Sequence, residues 1–138
     1  MFIHNTFAAA RELEELAALY PQVTLVTCPE SNMLIEGKLP NLTEFLASNL
    51  SIAIGTDSLA SASSLSMLDQ MNIVLQHFPQ LSFNEVLCWA TLNGANGLGI
   101  SNMFGSIEPG KKPGLVLITG FDFQNMRTTP QSLVKKLI

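Results

Sequence analysis

Three short apolar runs, each followed by a group of polar residues, constrain the fold of this chain more than any other feature. They lie at residues 1–4, 23–27 and 51–55, and segments with helical spacing separate them. Apolar runs of this length are typical of strands that are buried on both faces of a parallel sheet. The alternation of strand and helix therefore predicts a βαβαβ unit and an α/β fold.

The segments around these runs have the apolar spacing of amphipathic helices. Prolines end two of these segments. Two others begin with a residue that can cap a helix, followed three positions later by a Glu that can bond back to it. The predicted helices are residues 6–20, ended by Pro21; one that begins at Asn41 with Glu44; residues 65–78, ended by Pro79; and one from Ser82 and Glu85 to Leu98.

The pattern changes beyond residue 103. Residues 105–114 are rich in Gly and Pro, Leu115–Thr119 is a predicted strand, and residues 130–138 predict either a short helix or an extended arm. This change of composition is the candidate boundary within the chain. We predict a first unit over residues 1–103 and a second over residues 104–138.

The composition limits the partners of the protein. Charged residues make up 13% of the chain, about half of the roughly 25% that is typical of soluble domains. We therefore expect the chain either to be a slice of a larger protein or to form a homo-oligomer. The net charge is −4 and no basic run exceeds two residues, so a nucleic-acid partner is not expected.

Two further features predict the compartment. No apolar stretch approaches the roughly 20 residues of a membrane span, and residues 1–20 lack the basic start of a signal peptide. Cys28 and Cys88 match no metal or redox spacing, and both lie among apolar residues, which predicts free, buried thiols. We therefore predict a cytoplasmic protein without a membrane partner.

The third apolar run ends in Gly55 and is followed by Thr56, Asp57 and Ser58. In α/β proteins catalytic groups gather at the carboxyl ends of parallel strands, and Asp57 falls at such an end. The alternative is a helix-capping turn, because Thr, Asp and Ser all cap helices well.

Five short motifs lie along the chain in a specific order. They are His4-Asn5, residues 28–32, residues 55–58, residues 90–95 and residues 105–111. In order and spacing they resemble the last third of the amidohydrolases that act as deaminases or chlorohydrolases on ring amines and halides. The resemblance implies strands 6–8 of a (β/α)₈ barrel with their helices, plus a C-terminal piece of the accessory β-sandwich. It further implies the C-terminal portion of a metal-dependent hydrolase that acts on C–N or C–Cl bonds of a small-molecule substrate.

The resemblance also implies roles for four residues. Asp57 would bind zinc or another divalent metal and exchange a proton with the attacking water, and His4 would help to orient that water and the substrate. Asn32 would be either a substrate-facing amide or one that fixes its loop. Ser58 is a candidate substrate-binding residue or a local hydrogen-bonding group.

The chain lacks other parts of the family pattern. It has neither the His-x-His pair expected after strand 1 nor the His expected after strand 5, and a catalytic zinc needs three protein ligands. We therefore expect this chain alone to bind metal weakly and to be inactive. The alternative is a non-catalytic, self-associating half-barrel module. An unrelated doubly wound domain ranks last, because the chain lacks a Gly-rich phosphate loop.

Overall fold

The computed structural model describes all 138 residues and contains two sheets. The first sheet is formed by the N-terminal strands and the second by the C-terminal pair. The elements in chain order are β1 (Phe2–Ile3), α1 (Ala10–Leu19), β2 (Thr24–Thr27), α2 (Pro29–Glu36), α3 (Leu42–Ala47), β3 (Ser51–Ile54), α4 (Met67–His77), α5 (Phe83–Ala90), α6 (Leu92–Gly97), β4 (Val116–Thr119) and β5 (Leu133–Lys136).

The first sheet is parallel, with the strand order β1-β2-β3. Strand β2 lies in the centre, and all four of its residues are buried. Its register pairs Leu25 with Ile52 and Val26 with Ala53. Burial of every residue of a strand requires that both faces of the sheet are covered. The predicted βαβαβ unit and α/β fold are confirmed.

The two faces of this sheet enter different clusters, because successive side chains of a strand point in opposite directions. Leu25 and Ile52 join the main core, which the helices complete with residues such as Phe45 and Val74. On the other face Val26 and Ala53 form a small cluster with Cys28. The main core therefore covers one face of the sheet, and the cluster of Val26, Cys28 and Ala53 lies on the other.

Two predicted helix starts are confirmed in atomic detail. The side chain of Asn41 accepts a hydrogen bond from Thr43 N at the start of α3. Ser82 and Glu85 form the reciprocal capping box of α5, in which each side chain bonds the other residue's backbone amide. Each cap satisfies amide groups that the first turn of a helix leaves without a partner.

The prediction of one continuous helix from Ser82 to Leu98 is wrong. It breaks at Thr91 (φ −129°, ψ −87°), where the side-chain hydroxyl donates to Leu87 O at 2.7 Å. Such a hydroxyl competes with the backbone for helical carbonyls. The break changes the direction of the chain at the start of α6. Asn93 Nδ2 then donates to Ile52 O at 2.8 Å, and Gly97 lies against Thr24 of β2.

Two other predictions are corrected. Cys88 is exposed, not buried, because the buried face of α5 contains Phe83, Val86 and Trp89 and leaves Cys88 on the opposite side. No helix was predicted over residues 28–36, yet α2 begins at Pro29, within the motif of residues 28–32. Proline suits this first helical position because its missing amide hydrogen is not needed there.

The C-terminal segment forms an antiparallel pair, β4 with β5. The predicted strand near Leu115 and the extended form of the tail are confirmed, and the helical form of the tail is wrong. Phe121 packs edge-to-face on Phe83 at 4.7 Å, and Thr128 donates a hydrogen bond to Asn72 of α4 at 2.6 Å. No helix of the structure is both long enough and apolar enough to cross a membrane.

The contact of α6 with β2 predicts opposite effects for two glycines of the same helix. A Cβ atom at Gly97 would lie 3.0 Å from Thr24 Oγ1, whereas at Gly94 its nearest neighbour, Trp89 O, is 3.9 Å away. We expect Gly97→Ala to lower the free energy of unfolding by about 1 kcal/mol or more through overpacking. Gly94→Ala should raise it by roughly 0.5 kcal/mol, because alanine favours helix. Urea unfolding of both variants measures this, and equal midpoints would contradict the packing.

Candidate active site

The polar residues that follow the three parallel strands meet at one edge of the sheet. His4 follows β1, Asn32 lies in the helix that follows β2, and Asp57 follows β3. Carboxyl ends of parallel strands lie at the same edge, which is why residues so distant in sequence come together. The structure therefore brings together three of the four residues singled out from the sequence.

Both His4 and Asp57 have the left-handed backbone conformation. The φ angles are 68° for His4, 52° for Asn5 and 57° for Asp57. For residues other than glycine this conformation costs about 1–2 kcal/mol, and it persists where surrounding contacts enforce it. The chain thus turns sharply as it leaves β1 and β3. The helix-capping alternative for residues 55–58 is wrong, because the next helix, α4, begins at Met67 and is capped by Ser66.

The carboxylate of Asp57 is held by two serines. Ser31 Oγ donates to Asp57 Oδ2 at 2.7 Å, and Ser61 Oγ donates to the same oxygen at 3.0 Å. These bonds, together with the nearby His4, hold the pKa of Asp57 below its usual value, with the Ser31 bond as the largest cause. Asp57 is therefore ionised at neutral pH.

The imidazole of His4 faces this carboxylate. Its Nε2 lies 3.8 Å from Asp57 Oδ2, and the two side chains are 36% and 33% exposed, so both are open to a small molecule. On the other side of the ring, Nδ1 lies 3.2 Å from Asn32 Nδ2. Because Nδ1 lies against the buried amide, Nε2 is the ring nitrogen that faces Asp57 and the open side of the site.

The side chain of Asn32 is buried, with 1% exposed, and connects several elements. Its Oδ1 accepts from Cys28 N at 3.0 Å, which fixes the orientation of the amide. Its Nδ2 also approaches Thr6 Oγ1 and Glu36 Oε2, both at 2.9 Å. This burial supports the loop-fixing role of Asn32 more than the substrate-facing one.

The acceptor Glu36 completes this network. The Thr6 hydroxyl donates to the Glu36 carboxylate, and this bond is the largest cause that lowers the pKa of Glu36, followed by the bond from Asn32. Beside the site, burial raises the pKa of the Cys28 thiol to about 11, and the charge of Asp57 adds to the shift. Cys28 is therefore a neutral thiol and not a nucleophile at neutral pH.

Ser58 differs from the other predicted residues. Its side chain is exposed, and its Oγ accepts a hydrogen bond from Ala60 N at 3.3 Å. This is the local bonding that the sequence also allowed, and its substrate-binding role stays a prediction.

Sequence reasoning missed the partners of the site. Ser31, Ser61, Thr6 and Glu36 were not singled out. Ser31 could have been found, because Pro29 marks a helix start and places Ser31 in the first turn, beside the strand end. Thr6 depends on a tertiary contact with Glu36, 30 positions away. Ser61 and Glu36 lie four positions from Asp57 and Asn32, but neither matches a motif that marks it as a partner.

The donor set fits one side of a zinc site. An imidazole nitrogen and a carboxylate are both suitable ligands, and a catalytic zinc takes three protein ligands. No group of three His, Cys, Asp or Glu residues in this chain could hold a metal ion. The Asp57 carboxylate is therefore a suitable metal ligand, and the imidazole of His4 lies beside it.

The fold and this edge define a class: an α/β protein whose polar site lies at the carboxyl ends of parallel strands. Residues 1–136 match the model of the amidohydrolase family, and the chain belongs to that family.

Individual relatives agree with this family. The whole chain aligns with an adenosine deaminase of Helicobacter pylori at 33% identity over 141 aligned positions, which cover 33% of that protein. The structure of E. coli guanine deaminase superposes with a TM-score of 0.74 at 26% identity, over 86% of this chain and 28% of that one. An adenosine deaminase from Xanthomonas campestris, solved with bound zinc, gives a TM-score of 0.70 at 29% identity, over 94% of this chain and 30% of that one. The chain thus spans about a third of the length of these relatives.

The buried amide of Asn32 predicts a large effect of a small substitution. Asn32→Asp replaces the donor Nδ2 by an oxygen that faces the Glu36 carboxylate. We expect the free energy of unfolding to fall by about 2–4 kcal/mol at pH 7, because a buried charge loses its partners. The new carboxyl has a raised pKa in the folded state, so the loss should shrink as the pH falls towards about 4.

The matched control is Asn41→Asp, the same change at an exposed helix cap. Aspartate caps helices as well as asparagine does, so we expect a change of less than about 0.5 kcal/mol. Urea unfolding of both variants from pH 4 to pH 7 makes the comparison. An equal cost at the two positions would show that Asn32 does not organise the site.

Proposed function

We propose that this chain supplies the His4–Asp57 side of a metal-dependent deaminase, a hydrolase that acts on C–N bonds other than peptide bonds. The observation that carries the proposal is the ionised carboxylate of Asp57, 3.8 Å from the Nε2 of His4 at the carboxyl edge of a parallel sheet. The deaminases among the relatives support the reaction type. The substrate would be a small molecule with an amino group on a ring, such as an aminopurine or its nucleoside.

The chemistry of the two side chains fits this reaction. The lowered pKa keeps Asp57 negatively charged, so its carboxylate can hold a cation and accept a proton from a polarised water. His4 Nε2, which faces Asp57, would help to orient the attacking water and the substrate. A bound divalent metal would lower the pKa of water to about 7. The Asp57 carboxylate would be the ligand that this chain supplies.

The proposed architecture is part of a (β/α)₈ barrel. Strands β1, β2 and β3 would be barrel strands 6, 7 and 8, residues 1–103 the barrel portion, and residues 104–138 the return to a β-sandwich. A complete barrel takes about 250 residues, so a further segment would close it. The Nδ2 atom of Asn5 supports this, because it is buried without a hydrogen-bond partner and Asn5 lines an open cleft of about 500 Å³ beside β1.

The chain alone would be inactive, because the further protein ligands that a catalytic metal needs are not among its residues. One observation favours the alternative function, a self-associating half-barrel module. Phe2 and Ile3 of β1 are 45% and 55% exposed on a strand with an unpaired edge, and such edges promote pairing with another chain. We expect homo-oligomers of the isolated chain through this edge, and sedimentation over a range of concentrations would detect them.

Cleavage of C–Cl bonds, a cytoplasmic location and the lack of a nucleic-acid partner remain predictions from the sequence.

A fusion protein tests the proposed reaction. The chain replaces the matching third of the Helicobacter pylori relative, and ammonia release is measured with a panel of aminopurines and their nucleosides, while chloride release tests halogenated rings. We expect ammonia from at least one member of the panel. Asp57→Asn should lower the rate by about 100-fold or more, because the proton acceptor is lost.

Asp122→Asn is the control, the same change at a carboxylate in the C-terminal hairpin whose partners are Gln124, Asn125 and Arg127. It should leave the rate of the fusion protein unchanged. Circular dichroism and gel filtration establish that the fusion protein is folded. If it is not, the two pieces are co-expressed as separate chains and assayed in the same way. A folded protein without ammonia release, or equal rates for the two variants, would contradict the proposal.

A further inference from the structure

Two polar residues 40 positions apart connect helices α2 and α4. Gln70 is fully buried, and its side chain is satisfied at both ends by Glu30. Gln70 Oε1 accepts from Glu30 N at 2.9 Å, and Gln70 Nε2 donates to Glu30 Oε2 at 3.1 Å. A buried amide with both groups paired to one residue fixes the relative position of the two helices.

The other oxygen of the same carboxylate holds the loop that follows Asp57. Glu30 Oε1 accepts from Ser63 N at 2.8 Å and from Ser63 Oγ at 2.5 Å. These bonds lower the pKa of Glu30, so the acceptor is charged at neutral pH. Residues 58–66 contain no helix or strand, and Glu30 therefore supplies a fixed point in a segment without regular structure.

Glu30 lies beside both hydroxyl groups that hold Asp57. Ser31 is the next residue of α2, and Ser61 lies two positions before Ser63 in the loop. A single carboxylate thus fixes the two elements from which these hydroxyls reach Asp57 Oδ2 at 2.7 and 3.0 Å. Glu30 makes no hydrogen bond to Asp57 itself, and its bonds reach the elements that contain the two serines.

We propose that Glu30 and Gln70 are positioning residues, which align Ser31 and Ser61 on the carboxylate of Asp57. The inference rests on the proposed function only in treating Asp57 as the reacting carboxylate. Without the pair, the loop 58–66 would sample other conformations, and Asp57 would lose one or both hydroxyl partners for part of the time.

Exchange of the two side chains provides a sharp test. Glu30→Gln places an amide where one carboxylate oxygen was, so that Gln70 or Ser63 meets a donor instead of an acceptor. Gln70→Glu places two carboxylates against each other. In the double variant, the new amide nitrogen at position 30 can donate to the new carboxylate at position 70, while the amide oxygen at position 30 still accepts from Ser63. The double variant thus restores every hydrogen bond of the cluster with donor and acceptor exchanged between the two side chains.

Two local NMR measurements test whether the loop and the hydroxyl partners of Asp57 are disturbed. Amide hydrogen exchange at Ser61 and Ser63 reports loop opening, and the carboxyl ¹³C shift of Asp57 at pH 7 reports its hydroxyl partners. We expect each single variant to speed exchange at Ser63 by roughly tenfold and to shift the Asp57 signal. The double variant should restore both values. Glu30 is only partly buried, so Glu30→Gln should fold even if Gln70→Glu does not.

The control is Glu85→Gln, because Glu85 Oε2 also accepts from the backbone amide and the hydroxyl of one serine, Ser82, at 2.8 and 2.7 Å. It should leave the loop exchange and the Asp57 signal unchanged. The proposal is overturned if Glu30→Gln leaves both signals unchanged, or if the folded double variant does not restore them. If the two residues only stabilised the fold as a whole, the urea midpoint would fall in proportion to the rise in the exchange rate at Ser63. That result would also overturn the proposal. Neither signal requires catalysis, so an absent deaminase activity would not affect this test.

Discussion

The buried amide of Asn32 is the interaction on which the rest of the site depends. Through Oδ1 it bonds the backbone where β2 ends, and through Nδ2 it reaches His4 and Thr6, which follow β1. Two neighbouring strand ends are thereby joined by one side chain that water cannot reach. Because a buried amide without partners is costly, this network specifies a single arrangement. The same contact sets which nitrogen of His4 faces the open side.

Asp57 is placed by a second set of contacts, which come from outside its own strand. Its backbone is left-handed, a conformation that local preferences do not favour, and the hydroxyls of Ser31 and Ser61 fix its carboxylate. The helix after β2 therefore serves both halves of the site, since it contains Asn32 and Ser31 at successive positions. Rigid helices and strands hold the polar groups, and only the loop after Asp57 needs an added anchor.

The sequence predicted what short-range physics determines. The parallel sheet and its capped helices followed from apolar runs, prolines and capping pairs such as Ser82 with Glu85. The family motifs indicated three of the residues that meet at the edge. The start of α2 at Pro29 and the break at Thr91 were missed although each has a local signal, a proline at the first helical position and a hydroxyl that bonds the preceding turn. The exposure of Cys88 was missed because it depends on which face of α5 packs. The contacts of Ser31 with Asp57 and of Thr6 with Asn32 were missed because they join residues 26 positions apart.

We propose that Asp57 is the metal ligand that this chain supplies and that the other protein ligands lie on a further segment. Elemental analysis of zinc tests this most directly, on the 138-residue chain and on its fusion with the N-terminal part of the Helicobacter pylori relative. We expect about one zinc per fused protein, little after Asp57→Ala, and little in the chain alone. Stoichiometric zinc in the chain alone, or an equal zinc content with Asp57→Ala in the fused protein, would contradict it.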